Sequence, residues 1–81
     1  MRVRVLLFAG LAEAAGERSI DIELPASARA GDALAECRRL FPALGPSLTS
    51  VALAVNDAYA DPRHPLHEAD VVALIPPVSG G

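Results

Sequence analysis

The chain contains no tryptophan and no lysine, and it has one cysteine, one tyrosine and two phenylalanines in 81 residues. Each shortage excludes something. With so few aromatics, any core must be assembled from Val, Leu, Ile and Ala. A lone cysteine cannot close an internal disulfide, which points to a reducing compartment and a cytoplasmic location. All seven basic residues are arginine, so the chain could not build lysine-linked polymers on itself. A net charge of −3 is the opposite of the basic footprint of a nucleic-acid binder. No apolar run reaches the roughly 18 residues of a membrane span. The opening Met1–Phe8 lacks the small-residue cleavage site of a signal peptide. Gly10, Gly16 and Gly31 are scattered and form no phosphate-cradling loop, so no bound cofactor is expected.

What is present is a folding composition, 52% hydrophobic and 21% charged, in a chain of one-domain length. Arg2 to Phe8 alternates, with Val3, Val5 and Leu7 on one face and Arg2, Arg4, Leu6 and Phe8 on the other. Leu11 to Ala15 favours helix and is closed by Gly16. Ser19 to Leu24 alternates again, with Ile20, Ile22 and Leu24 inward, and Pro25 ends it. From Ala30 to Phe41 the period becomes helical. Ala33, Leu34, Cys37, Leu40 and Phe41 share one side, Asp32, Glu36 and Arg39 the other, and Pro42 terminates the run. Val51, Leu53 and Val55 read as a strand, and Asn56-Asp57 as a tight turn into Ala58-Tyr59-Ala60. Val71 to Ile75 is a last apolar strand.

A single main helix across one face of a mixed sheet of about five strands satisfies this order. The first and last strands are the most apolar and belong side by side at the centre. The architecture is α+β, a β-grasp or ubiquitin-like domain over residues 1–75, with an extended tail over residues 76–81.

That tail, Pro76-Pro77-Val78-Ser79-Gly80-Gly81, has two readings. A Gly-Gly end by itself is most simply frayed. Two prolines directly after a strand favour a stiff, extended exit. Two glycines make a slim tip that backbone or ligand can approach closely. Six residues span roughly 20 Å, enough to enter a buried site. The strand parities add an outer apolar patch at the base of this arm: Leu6, Phe8, Ala73 and Ile75, with Tyr59 at its rim. Scattered surface hydrophobics are ordinary, but clustered ones mark partner surfaces.

Other candidate chemistry is weaker. Cys37 falls on the apolar side of the helix and reads as an inert core residue. His64 and His67 lack a third nearby ligand, so no metal site is assigned. Arg38 and Arg39 form a solvated helix face that could also meet an acidic partner.

"LLFAGLAEAAG", "AVNDAYA" and "HPLHEADVVALIPPVSGG" resemble the MoaD/ThiS family of ubiquitin-like sulfur carriers, most of all its molybdopterin synthase small-subunit branch. The likeness runs the length of the chain, and PPVSGG is its most specific part. It implies that Gly81, with Gly80 giving access, is adenylated at its carboxylate by a ubiquitin-activating-type adenylyltransferase that binds and uses ATP. Sulfur then replaces AMP, and the resulting thiocarboxylate serves the large subunit of molybdopterin synthase, donating sulfur to the cyclic pyranopterin precursor. On this reading the chain is a sulfur donor without a complete active site. Leu6, Phe8, Tyr59, Ala73, Ile75, Pro76, Pro77 and Val78 meet its partners. Carriers for thiamine, cysteine or transfer-RNA thiolation, and ubiquitin-like protein modifiers, remain open alternatives. Two positions depart from the family pattern. Arg29-Ala30 stands where a Thr often precedes the long helix. Ala69 stands where a Gly often separates two acidic residues, and is expected to impose a different turn.

Overall fold

A computed structural model describes residues 1–77. Strand β1 (Arg2–Leu7) alternates as its sequence demands, with Val3, Val5 and Leu7 almost fully buried. It ends one residue earlier than its pattern suggests, because Phe8 becomes the N-cap of helix α1 (Ala9–Ala15). Gly16, at φ 75°, closes α1 by donating its amide to the Ala12 carbonyl at 2.9 Å, a backbone angle that glycine adopts without a Cβ penalty. Strand β2 (Ser19–Glu23) returns antiparallel to β1. Ile22 and Leu24 are buried and Ile20 is half-buried.

Helix α2 (Ala30–Leu40) crosses the inner face and buries Ala30, Ala33 and Cys37. The Asp32 carboxylate accepts the Arg29 amide at 2.7 Å, one half of a capping box. The Ala30 and Gly31 amides donate to the carbonyls of His64 and Pro62, both at 2.8 Å. The helix start is therefore satisfied without a Thr. Gly31 suits this close approach, since a Cβ would lie 3.1 Å from both Cβ and O of Pro62, a tight contact that would push the loop back by a few tenths of an ångström. Leu40 departs from expectation: it is 43% exposed. As the final helical residue it lies beyond the sheet, and Phe41 turns back to pack on the core in its place.

The segment after α2, to which the sequence pattern assigned no element, also contributes to the core. Pro42–Ser50 forms 3-10 turns, and from them Leu44 and Leu48 reach the core at 1% exposure each. Each burial contributes about 1.5–3 kcal/mol. Strands β3 (Ala52–Val55) and β4 (Ala58–Ala60) form a hairpin whose turn residues, Asn56 and Asp57, both have positive φ, as a type I′ turn requires. Strand β5 (Val71–Ile75) completes a five-stranded sheet in the order β2-β1-β5-β3-β4. β1 and β5 are parallel neighbours at its centre and the other pairings are antiparallel.

Before β5, Ala69 sits at φ 69°. Alanine thus takes here the left-handed conformation that glycine adopts freely. The Ala69 amide donates to the Arg2 carbonyl at 2.8 Å, and the flanking ladder holds the left-handed geometry at some cost in strain. The helix-over-mixed-sheet arrangement is the β-grasp fold. Among the described residues no helix is long and apolar enough to cross a membrane.

Candidate functional site

The candidate site is the outer face of the sheet where β5 gives way to the tail. Residues on one strand face alternate, so the inward burial of Val72 and Leu74 fixes Ala73 and Ile75 outward. The register then lines residues up across strands. Leu6 opposes Ala73, Ala73 opposes Ala54, and Ala54 opposes Tyr59. This single row crosses four strands, about 14 Å. A second row lies nearer the tail. Ile75 opposes Ala52, and Phe8 follows directly on the Leu7–Leu74 pair.

The two rows make a shallow trough. Its floor is alanine (Ala52, Ala54 and Ala73), and its walls are Leu6 and Phe8 on one side and Tyr59 on the other. Phe8 is 45% exposed and Tyr59 80%, so both aromatics are available to a partner. Pro76 is half-buried and Pro77 exposed at the end of β5. Val78, Gly80 and Gly81 lie outside the described residues. The patch assigned from strand parity is thus brought together. Ala52 and Ala54 were missed, although a two-residue turn at Asn56-Asp57 already pairs Val55 with Ala58 and Ala54 with Tyr59.

Beside Phe8 the trough opens into a groove of about 910 Å³ between the end of β1, helix α1 and the start of β2, where Glu13, Glu17 and Arg18 join Leu6 and Phe8. The opposite half of the same face is ionic. Arg2 Nε lies 3.0 Å from Glu23 Oε1, and Arg4 Nε 3.0 Å from Asp21 Oδ1. The hydrogen bond to Arg4 holds the Asp21 carboxyl below its usual range. These cross-strand pairs are exposed and serve register and solubility more than stability.

The remaining candidates behave as structural elements. Cys37 is fully buried, and that burial, reinforced by Glu36, pushes its thiol up to about 11, far from a reactive thiolate. Arg39 makes a two-pronged ion pair with Glu36, at 2.8 and 2.7 Å, while Arg38 is exposed. His64 and His67 lie in the exposed loop before β5. The His67 amide donates to Asp70 Oδ2 at 2.8 Å, and the Asn56 side-chain amide to Asp70 Oδ1 at 2.9 Å. Among the described residues no group of three or more His, Cys, Asp or Glu is placed to hold a metal ion.

Comparison with known proteins gives a consistent result. The chain is 37% identical over 83 residues to a molybdopterin synthase sulfur carrier subunit of Chlamydomonas reinhardtii, covering all of both chains. Its structure is similar to that of SAMP1 from Haloferax volcanii, with a TM-score of 0.93 and 31% identity over the whole of both chains. It is also similar to a chain in the complex of subunits 1 and 2 of the molybdopterin-converting factor from Helicobacter pylori, with a TM-score of 0.67 and 30% identity, again over both whole chains. The ThiS family model matches residues 5–81. The chain belongs to the ThiS family.

Proposed function

We propose that this chain is the sulfur-carrier subunit of a molybdopterin synthase and works in the cytoplasm. The observation that carries the reading is the full-length similarity to a molybdopterin synthase sulfur carrier subunit, joined to a family match that runs through Gly81. A carboxylate is a poor electrophile, so an adenylyltransferase of the ubiquitin-activating type would first join the Gly81 carboxyl to AMP, using ATP held on the enzyme. A sulfur donor then displaces AMP and leaves a thiocarboxylate, whose sulfur is a soft nucleophile. In the large synthase subunit that sulfur passes to the cyclic pyranopterin precursor. The apolar trough docks the carrier so that the arm enters its partner's site, and Gly80 and Gly81 offer no side chain to obstruct it.

The test is mass spectrometry after incubation with the adenylyltransferase, ATP and a sulfur donor. The full chain should gain the mass difference between sulfur and oxygen. A form lacking Gly81 should gain nothing, since its carboxylate falls about 3.5 Å short and misplacements of about 1 Å already cost on the order of a hundredfold. Equal charging of both forms would remove Gly81 from the mechanism.

A second reading is favoured by the similarity to SAMP1, of which another structure is described as small archaeal modifier protein 1. Here the activated Gly81 would be joined to amines of other proteins. Amide-linked adducts in place of a thiocarboxylate would select it.

A further inference from the structure

An acyl adenylate is an electrophile, and the nucleophiles nearest to it belong to the chain that bears it. Capture would be simple aminolysis. An amine nitrogen attacks the Gly81 carbonyl carbon, the C–N bond forms, the bond to AMP breaks, and the amine proton passes to solvent. The product would be a cyclised or cross-linked chain, lost to any partner.

Each amine that could do this is absent or tied up. The basic surface is built without lysine; arginine supplies the same charge but stays protonated and does not attack. The Cys37 thiol is enclosed between α2 and the sheet at 0% exposure. The Met1 nitrogen, which is partly buried, donates to the Leu24 carbonyl at 2.6 Å. Because β1 and β5 run parallel, Met1 lies at the end of the sheet opposite the exit of the tail. Five β5 residues at about 3.3 Å each put roughly 17 Å between those ends, within the roughly 20 Å span of the tail, so it is the hydrogen bond and partial burial of the Met1 nitrogen that restrain it. The exposed imidazoles of His64 and His67 precede β5 and share that end. Acylation there would in any case give a labile acyl-imidazole.

We propose that the chain is cleared of free amines able to capture its own activated carboxyl end as an amide, so that it acts as a donor and not as its own amide acceptor. The proposal rests on the carrier reading for its purpose, but its chemistry can be tested without any activating enzyme.

The sharpest probe is Arg18→Lys. The Arg18 carbonyl accepts the Leu7 amide at 2.9 Å, and Leu7 pairs with Leu74. An amine at position 18 therefore stands beside the strand end from which the tail departs. Arg38→Lys, on the exposed side of α2, serves as a second amine of the same charge on another element. The 81-residue chain and both variants are prepared with a C-terminal mercaptoethanesulfonate thioester and held at mildly alkaline pH. Mass spectrometry and denaturing gels then follow hydrolysed, cyclised and dimeric products. The wild type should only hydrolyse. Arg18→Lys should give roughly tenfold or more amide product than wild type, because tethering supplies a high effective concentration. Arg38→Lys should also give amide product, cyclic or dimeric, the dimer increasing with protein concentration. Wild-type cyclisation or dimerisation at the Arg18→Lys rate would overturn the proposal. So would amide-free decay of both variants, since lysine would then pose no threat. If the thioester results hold but the adenylyltransferase never charges Gly81, the carrier reading has failed and the self-inertness stands.

Discussion

Leu6 and Leu7 are the same residue type on the same strand, yet Leu7 is 3% exposed while Leu6 is only half-buried. The pair summarises the two faces of the sheet. Inward, Val3, Val5, Leu7, Ile22, Leu53, Val55, Val72 and Leu74 are sealed beneath α2 and the 3-10 turns. Outward, Leu6, Ala73 and Ile75 are left partly open, and the charged pairs Arg2–Glu23 and Arg4–Asp21 occupy the half away from the tail. Burial on one face and availability on the other follow from a shift of one residue. The inner face therefore bears on whether the chain folds, and the outer face on what the folded chain meets.

Truncation of the inner face should have the largest effect. Leu74→Ala removes a fully buried side chain from the central strand, and such changes cost about 2–5 kcal/mol when the site cannot collapse. Urea unfolding should show a midpoint far below that of wild type. A loss below about 1 kcal/mol, within the range of mild substitutions, would mean that the inner face is not the core.

The outer face should answer the opposite way. Phe8→Arg places a charge on a residue already 45% exposed, so the unfolding midpoint should move by no more than about 0.5 kcal/mol. Affinity for the large synthase subunit, measured by calorimetry, should fall about tenfold or more, equivalent to roughly 1.4 kcal/mol. Unfolding of this variant would show the two faces to be one core. Unchanged affinity would move the docking surface elsewhere.

These contrasts were largely legible from residue order. Period-two alternation set the faces of β1, β2, β3 and β5, and the two most apolar strands proved to be the central parallel pair. What escaped notice has physical causes. Leu44 and Leu48 sit in 3-10 turns interrupted by Gly45 and Pro46, where neither helical nor strand periodicity can show. Leu40 kept the helical spacing but came after the helix had passed the sheet. Ala54 is small and apolar, and only its register beside Ala73 and Tyr59 gives it a place in the trough. Ala69 obeyed the turn in place of its own preference, because the surrounding ladder outweighed a local cost.

Asp70 offers a smaller effect, at the end of the sheet away from the tail. Burial of its carboxyl opposes ionisation, but hydrogen bonds from the Asn56 side chain and the His67 amide outweigh it, together with the neighbouring histidines, and the net direction is downward. A carboxyl with a depressed folded value contributes stability that is complete above the ordinary carboxylate range and is lost as pH falls through that range toward the folded value. Stability should therefore decline on acidification through the usual carboxylate range and below it, and Asn56→Ala should flatten that decline. An unchanged acid limb in this variant would place the titration on other carboxylates, such as Asp21.

The smallest expected change is a gain. Two turns at the end of the sheet opposite the tail use positive φ, and they are built differently. Asn56 and Asp57 (φ 50° and 71°) are residues that tolerate the left-handed region, whereas Ala69 (φ 69°) is not. A left-handed L-residue with a Cβ costs about 1–2 kcal/mol. Glycine avoids that cost but loses about 0.5–1 kcal/mol through greater freedom of the unfolded chain. The exposed Ala69 methyl offers little burial to forfeit, and the amide bond to the Arg2 carbonyl needs no side chain. Ala69→Gly should therefore raise stability by roughly 0.5 kcal/mol, the difference between the two costs. It should leave affinity for the large subunit unchanged, since the trough lies at the other end of β5. Matched urea curves with equal slopes would reveal the shift as a later midpoint. An earlier midpoint would show that the turn in solution does not hold Ala69 in the left-handed region, and that its strain was relieved by a different loop.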